Sequence, residues 1–334
     1  MINWGVVGVG SMANKFAEAI KEIKNTKIFA AASLTKKKSD KLLKFFDIKD
    51  NYFFDNYEEL IKCKEISSIY ISNLNHSHEN IIIKAANANK NILCEKPMTL
   101  NFDEAEKVFN VINKKNIFFL EAFAYRSHPQ TEAIKHFIKN NELGAIKKIE
   151  LSFGYKTRRI NSKSRIYNKS VGGGAILDVG CYTTSYALLL AKIIYPEIDL
   201  NEYKLDNISG NICETGVDDT AGADLVFSNK LTVNLKTSIR NEMNNNCTIY
   251  GSKGKVIITN PWLPEKKSFF EIYKNDNSYY KKFIESKYSI YANQINQFNK
   301  KVIKNDKLID NTLMTYQESL INMKIITEWK KNLN

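Results

Sequence analysis

A chain of 334 residues is too long for one typical core and indicates two domains. Its composition, 43% hydrophobic and 25% charged, is that of an ordinary soluble globular protein. The formal net charge is +13, but the lysines are scattered, with no basic arm and no aromatic–basic repeat, which speaks against nucleic acid as a partner.

The chain opens on an apolar stretch, Trp4-Gly-Val-Val-Gly-Val-Gly10, without a basic or cleavable leader, and this reads as a buried strand entering a glycine turn. Gly8, Gly10 and Ala13 form the GxGxxA version of the dinucleotide fingerprint, opening a helix through Phe16, Ala17 and Ile20. Gly8 permits the turn, Gly10 lets the backbone approach a pyrophosphate, and Ser11 and Met12 carry the N–H groups of the helix start.

The second strand, Lys27 to Ser33, bears on the cofactor. An NAD site places Asp or Glu near this strand's end to hold the ribose 2′-hydroxyl. Here Ala32-Ser33-Leu34-Thr35-Lys36-Lys37-Lys38 contains no carboxylate, and the first is Asp40. Ser33 with Lys37 or Lys38 suits a 2′-phosphate, so NADP is expected, with NAD as the alternative.

Further strand–helix units follow, and three polar clusters fall at successive strand ends. The first is Asn73-Leu-Asn75-His-Ser-His78, the second Glu95-Lys96-Pro97, and the third Glu121 to Pro129, which contains Arg126. Ligands bind at the carboxyl ends of such strands, so Asn73, Asn75, His78, Glu95 and Lys96 are candidate cofactor contacts. Lys96 is also placed to deliver a proton to a substrate carbonyl.

The pattern then changes. Ile149, Leu151, Phe153 and Tyr155 alternate with polar residues as a half-buried strand, and Val233, Leu235 and Ile239 repeat the signature. Residues 248–250 and 255–259 flank Gly251-Ser-Lys-Gly254 as a hairpin. The second half is therefore expected to be an α+β domain with an open, mostly antiparallel sheet, helices on one face, and a homodimer or homotetramer formed through that sheet.

Between these strands a glycine triplet, Gly172 to Gly174, leads into Asp178 and Tyr182, which share a helix face at i and i+4. An acid and a phenol on one face, with a lysine, make a candidate proton relay. Of five arginines, Arg158, Arg159 and Arg165 crowd the loop before the triplet and, with Arg126, are candidate substrate contacts.

The longest apolar helical run, Tyr186 to Tyr195, falls short of the roughly 20 residues that span a bilayer. The five cysteines form no CxxC, and His76 and His78 lack a third ligand at metal spacing, so no metal is expected and a cytoplasmic protein is. A helix through Leu320, Met323, Ile325, Ile326 and Trp329 is expected to pack back on the first domain. The resulting division is 1–122, 123–310 and 311–334.

Together these motifs resemble the Gfo/Idh/MocA oxidoreductases. The residues that carry the resemblance are GVVGVGSMA (5–13), LNHSH (74–78), CEKP (94–97), EAFAYRSHP (121–129) and GGGAILDVGCY (172–182). Their versions are most like the branch holding dimeric dihydrodiol dehydrogenase, anhydrofructose reductase and a xylose dehydrogenase. The resemblance implies a Rossmann domain followed by the α+β domain, Lys96 as the catalytic lysine after a strand, and a cis bond before Pro97. It implies that Asp178 is the active-site aspartate and that Tyr182 stands where many members carry histidine. Leu34 replaces an arginine frequent in NADP-using relatives, which leaves the 2′-phosphate to Ser33 and a lysine. The implied activity is hydride exchange between a nicotinamide and a sugar-like or cyclic diol carbon. The alternatives are a nucleotide-linked sugar as substrate, or a catalytically silent dinucleotide-binding sensor.

Overall fold

The opening apolar run forms β1 (Ile2–Val7), whose side chains are almost all buried because the strand lies between two others in a parallel sheet. The computed structural model describes residues 1–35, 37–228, 230–306, 309 and 312–333. By internal packing it divides into two units, Met1–Ser127 with Tyr288–Tyr316, and His128–Lys287 with Gln317–Asn334.

In the first unit β1 is followed by α1 (Ser11–Ala19), β2 (Thr26–Ala32), α2 (Asp40–Phe46), β3 (Phe53–Phe54) and α3 (Tyr57–Lys62). The chain continues through β4 (Ser68–Ile71), α4 (His78–Asn87), β5 (Asn91–Cys94), α5 (Phe102–Ile112) and β6 (Phe119–Glu121). The sheet order is β3-β2-β1-β4-β5-β6 with every pair parallel, the order of a Rossmann sheet. Strand order reverses between the paired strands β1 and β4, and such switch points are where ligands bind in these sheets.

The second unit holds α6 (Pro129–Lys139), β7 (Ile146–Gly154), a π-helical turn at Ile176–Gly180 and α7 (Cys181–Ile194). Seven strands follow: β8 (Tyr203–Ile212), β9 (Asp218–Phe227), β10 (Thr232–Ser238), β11 (Asn246–Gly251), β12 (Gly254–Thr259), β13 (Lys267–Lys274) and β14 (Tyr279–Glu285). The eight strands run in the order β14-β13-β12-β11-β7-β10-β9-β8, antiparallel except where β10 lies parallel to β7. The expected hairpin is β11–β12, paired Gly251 to Gly254 at its turn. Helix α7 packs on β7 and β10, while Glu150, Asn234 and Tyr250 remain part-exposed on the opposite face.

Two helices follow β14, and they separate. Helix α8 (Ile290–Lys304) returns to the first unit, where Ala292, Ile295 and Phe298 join the core beside β1. Phe298 lies 4.8 Å from the Trp4 ring and 5.1 Å from Phe118. Helix α9 (Tyr316–Lys331) was the one expected to pack on the first domain, and from Gln317 on it belongs to the second unit. Its Asn322 accepts from Thr184, and Trp329 Nε1 donates to the Gly222 carbonyl at 3.3 Å, both in the second unit. Tyr316, its first residue, sits against Phe109 and Phe119 and falls in the first unit. The two helices are both amphipathic, and which sheet each covers depends on complementary shape, not on period. The expected boundary at 122 falls instead after Ser127, and that at 310–311 lies outside the described residues, as does Asn334.

The segment Lys169 to Ile194, helical apart from a break at Gly172–Gly174, spans 26 residues, longer than the apolar segment read from sequence and sufficient in length and composition to cross a bilayer. Of its apolar window 94% is buried, however, and it serves as the central helix of the second unit's core.

Candidate active site

Gly8 and Gly10 shape the end of β1 for different reasons. Gly8 has φ +85°, and a Cβ there would stand 3.0 Å from the Asn73 nitrogen, so glycine is needed for both backbone and close approach. Gly10 has ordinary φ of −85° and is the residue before α1, and a Cβ there would meet nothing within 4 Å. The space beside it is open, while Ala13 one turn on is fully buried against the sheet. An open approach to the first N–H groups of a nine-residue helix fits a dinucleotide pyrophosphate. Ser11 and Met12 are the first residues of that helix.

At the end of β2, Ser33 is buried and its Oγ accepts from Thr35 N at 3.4 Å, which shapes the turn toward exposed Leu34. Lys37 is exposed, Lys38 pairs with Asp50 at 2.9 Å, and Lys36 lies outside the described residues. The Lys38 pair is itself largely exposed, so it competes only weakly with another anion.

Lys96 follows β5, and the bond from Lys96 to Pro97 is cis, as the resemblance implied. The turn is fastened at successive residues. Tyr70 donates to Glu95 Oε1 at 2.6 Å, His78 Nδ1 lies 3.0 Å from the Pro97 oxygen, and Met98 N donates to Glu121 Oε1 at 2.9 Å. Burial raises the Glu95 carboxyl above its usual range, opposed by the Tyr70 hydrogen bond and the Lys96 charge. Burial holds His78 down to about 4, so it is neutral.

His78 is thus fully buried, and its other nitrogen faces the Asn73 carbonyl at 3.1 Å. Its ring thereby meets the main chain of two loops. Asn73 gives its side-chain amide to Ser77 Oγ at 2.6 Å, and Asn75 begins the short helical turn that leads to α4. Arg126 is 1% exposed, its Nε directed to the Tyr125 hydroxyl at 3.3 Å and its carbonyl accepting from Thr312.

In the second unit, Asp178 stands inside the π-helical turn. Tyr182, four residues further on, is the second residue of α7. Tyr155 donates its hydroxyl to Asp178 Oδ2 at 2.5 Å, while Arg165 Nη1 meets Oδ1 at 3.2 Å. The Tyr182 ring stands edge-on to Phe153 at 5.3 Å and Trp262 at 6.4 Å. Of the three loop arginines only Arg165 reaches Asp178 by an ion pair, and Arg158 and Arg159 are exposed.

Asp218, which the sequence reading passed over, accepts from Ile176 N at 2.6 Å and so caps the helical run that carries Asp178. Burial lifts its carboxyl to about 6. A Cβ at Gly174 would fall 2.3 Å from Asp218 Oδ1, so at least this glycine of the triplet admits a carboxylate rather than a ligand. Among the described residues no group of three His, Cys, Asp or Glu side chains could hold a metal.

A Rossmann sheet with an open glycine turn, a lysine at a neighbouring strand end, and a second unit built on a mostly antiparallel sheet define a dinucleotide-dependent oxidoreductase. Residues 2–123 match the family model described as "Oxidoreductase family, NAD-binding Rossmann fold", and residues 131–257 match "GFO/IDH/MocA C-terminal domain". The chain belongs to the Gfo/Idh/MocA oxidoreductase family.

It is 29% identical over 264 residues to the trans-1,2-dihydrobenzene-1,2-diol dehydrogenase of Xenopus tropicalis, covering 78% of this chain and 76% of that one. The Homo sapiens enzyme of the same name is 26% identical over 79% and 76%. Among solved structures, the 3-ketoreductase KijD10 from Actinomadura kijaniata, in complex with NADP and TDP-benzene, superposes with a TM-score of 0.84 at 20% identity, covering 97% and 95% of the two chains. An aldose-aldose oxidoreductase from Caulobacter crescentus gives 0.85 at 16%, covering 99% and 96%. At those identities the structures share the fold.

Proposed function

We propose that the protein is an NADP-preferring dehydrogenase or reductase acting on a carbinol or carbonyl carbon of a sugar-like polyol, keto-sugar or cyclic diol. The observation that carries this reading is the Lys96–Pro97 turn, fastened at Glu95, Pro97 and Met98 by Tyr70, His78 and Glu121. Fixing both sides of a lysine in this way gives it a defined direction at the strand end, which a proton donor requires and a solvated lysine does not.

When bound, the nicotinamide would supply or accept the hydride. Lys96 gives a proton to the substrate oxygen during reduction and regains it during oxidation. Asp178 and Tyr182 take part in the same exchange, Asp178 by orienting the substrate hydroxyl and Tyr182 as an alternative phenolic donor. Arg126, Arg158, Arg159 and Arg165 are the candidate contacts to further substrate groups. The absence of a carboxylate between Ser33 and Lys38 supports NADP over NAD, with Ser33 and Lys37 as the 2′-phosphate partners. The names of the curated relatives support a diol, and that of the aldose-aldose oxidoreductase supports a sugar. Five free cysteines, four of them buried, support a reducing, cytoplasmic setting. The part-exposed face of the eight-stranded sheet is the surface for self-association into a dimer or tetramer.

The test is nicotinamide absorbance on a panel of pentoses, hexoses, keto-sugars, anhydro-sugars and trans-dihydrodiols, with NADP and NAD forms and the Lys96→Met variant alongside. Turnover that falls by about 10²-fold or more in the variant while dinucleotide binding persists is the expected result. Undiminished turnover in Lys96→Met would remove the lysine from the chemistry.

A further inference from the structure

The sequence places Tyr155 at the end of a half-buried strand, as one more alternating apolar residue. In the structure it is the first residue past β7, and its hydroxyl is committed to Asp178 Oδ2 at 2.5 Å. Arg165 takes the other carboxylate oxygen at 3.2 Å. The two partners stand ten residues apart in one loop, and that loop is anchored along its length. Tyr155 N donates to the Ser238 carbonyl at 3.1 Å and Thr157 N to that of Ile239 at 3.2 Å. The Thr157 and Tyr167 hydroxyls are 2.5 Å apart, and the Tyr155 ring packs on the cluster of Tyr167, Ala175, Val179 and Ile239.

A phenol on one oxygen and a guanidinium on the other both favour the ionised carboxylate and fix its plane. Tyr155 pays no role as an acid at neutral pH. Burial first, and then the Asp178 charge, raise its hydroxyl far above the ordinary tyrosine range. Asp178 is only 7% exposed, so any group that reaches it is largely desolvated. A carboxylate offers about four acceptor positions, so a substrate hydroxyl adds a hydrogen bond to this oriented anion that an analogue lacking it does not make.

Resting on the reading above, in which Asp178 belongs to the active site, we infer that Tyr155 and Arg165 are positioning residues. They hold Asp178 as an oriented anion that accepts a hydrogen bond from a substrate hydroxyl, and so select hydroxylated substrates over simple ketones and aldehydes.

The experiment compares wild type, Tyr155→Phe, Arg165→Gln, Asp178→Asn and the double variant Tyr155→Phe/Asp178→Asn. Each is assayed for kcat and KM from about pH 5 to about pH 9 on the substrate found by the panel and on its deoxy analogue. Tyr155→Phe is expected to lower kcat/KM about tenfold, to move the acidic limb of the profile upward, and to narrow the preference for the hydroxylated substrate. Dinucleotide affinity should stay unchanged. Arg165→Gln should act in the same direction by less, since its side chain is 53% exposed and the ion pair is screened. It also serves if Tyr155→Phe does not fold.

Once Asp178 is asparagine, losing the Tyr155 hydroxyl should cost nothing further. Additive losses, an unmoved pH profile or an unchanged preference would overturn the inference and leave the functional reading intact. A wild type that binds dinucleotide and turns over nothing in the panel would overturn the functional reading itself.

Discussion

His78 holds the Pro97 carbonyl at 3.0 Å through Nδ1 and faces the Asn73 carbonyl at 3.1 Å through Nε2, with its ring fully buried between them. A neutral imidazole carries one N–H, so the tautomer decides which loop receives the hydrogen bond. One residue thereby ties the loop after β4 to the turn that carries Lys96.

Replacing His78 with leucine removes that donor and leaves at least one buried carbonyl unmatched. The expected cost at neutral pH is about 1–3 kcal/mol in urea unfolding, together with a lower kcat. The pH dependence has a definite sign. Burial lowers the folded-state value from 6.5 to about 4, so below about 6.5 the unfolded chain binds more protons than the folded one. The stability that goes with neutral His78 is complete above 6.5 and is lost as pH falls through the folded value, by about 3 kcal/mol in all. The leucine variant should lack that portion of the acid loss, leaving the part due to His128, which burial also holds down to about 4. Equal acid sensitivity in the two proteins would contradict this.

The two glycines of the β1 turn should separate folding from binding. Gly10→Ala adds a Cβ into open space at an ordinary φ, so its stability should stay within about 0.5 kcal/mol of wild type. Its dinucleotide affinity should fall about tenfold or more, because the methyl enters the approach to the helix start. Gly8→Ala should instead lose about 1–3 kcal/mol of stability, from the positive φ and the contact with Asn73. Thermal melts and a fluorescence titration with dinucleotide read both effects.

Ser33→Asp places a carboxylate at the end of β2, where a 2′-phosphate would be repelled and a 2′-hydroxyl accepted. The ratio of NADP to NAD affinity should drop about tenfold to a hundredfold, roughly 1.4–2.8 kcal/mol. Titration of both dinucleotides measures it, and an unchanged ratio would remove Ser33 from the cofactor site.

Phe298→Ala tests the return of the chain to the first unit. Its ring packs on Trp4 and Phe118, so truncation should cost about 3–5 kcal/mol in urea unfolding. A loss under about 1 kcal/mol would mean that α8 is not part of that core.

Much of the first unit was legible residue by residue. The βα alternation, the Gly8–Gly10 turn and the carboxylate-free end of β2 are written in short windows, where period and glycine placement have direct backbone meaning. The second unit was legible as a class of sheet, but β8, β9, β13 and β14 were not separately read. The site was legible as a set of residue types near strand ends. The π-helical turn around Asp178 was not legible, because nothing local announces it, and neither was the Tyr155 hydroxyl on its carboxylate. Asp218 was missed because it follows a turn in a run of ordinary polar residues, and only its pairing with Ile176, 42 positions earlier, gives it a task.

The sequence by itself determined the βα alternation of the first unit, the glycine turn after β1, and where a lysine stands before a proline. These depend on interactions among neighbours within a few positions. Tertiary structure alone decided that α8 joins the core of the first unit, that Tyr155 gives its hydroxyl to Asp178, and that His78 grips two carbonyls. Each of those outcomes is a choice among chemically similar groups, made by which surfaces fit once distant segments meet. Local period cannot rank such choices, because every candidate satisfies it equally well.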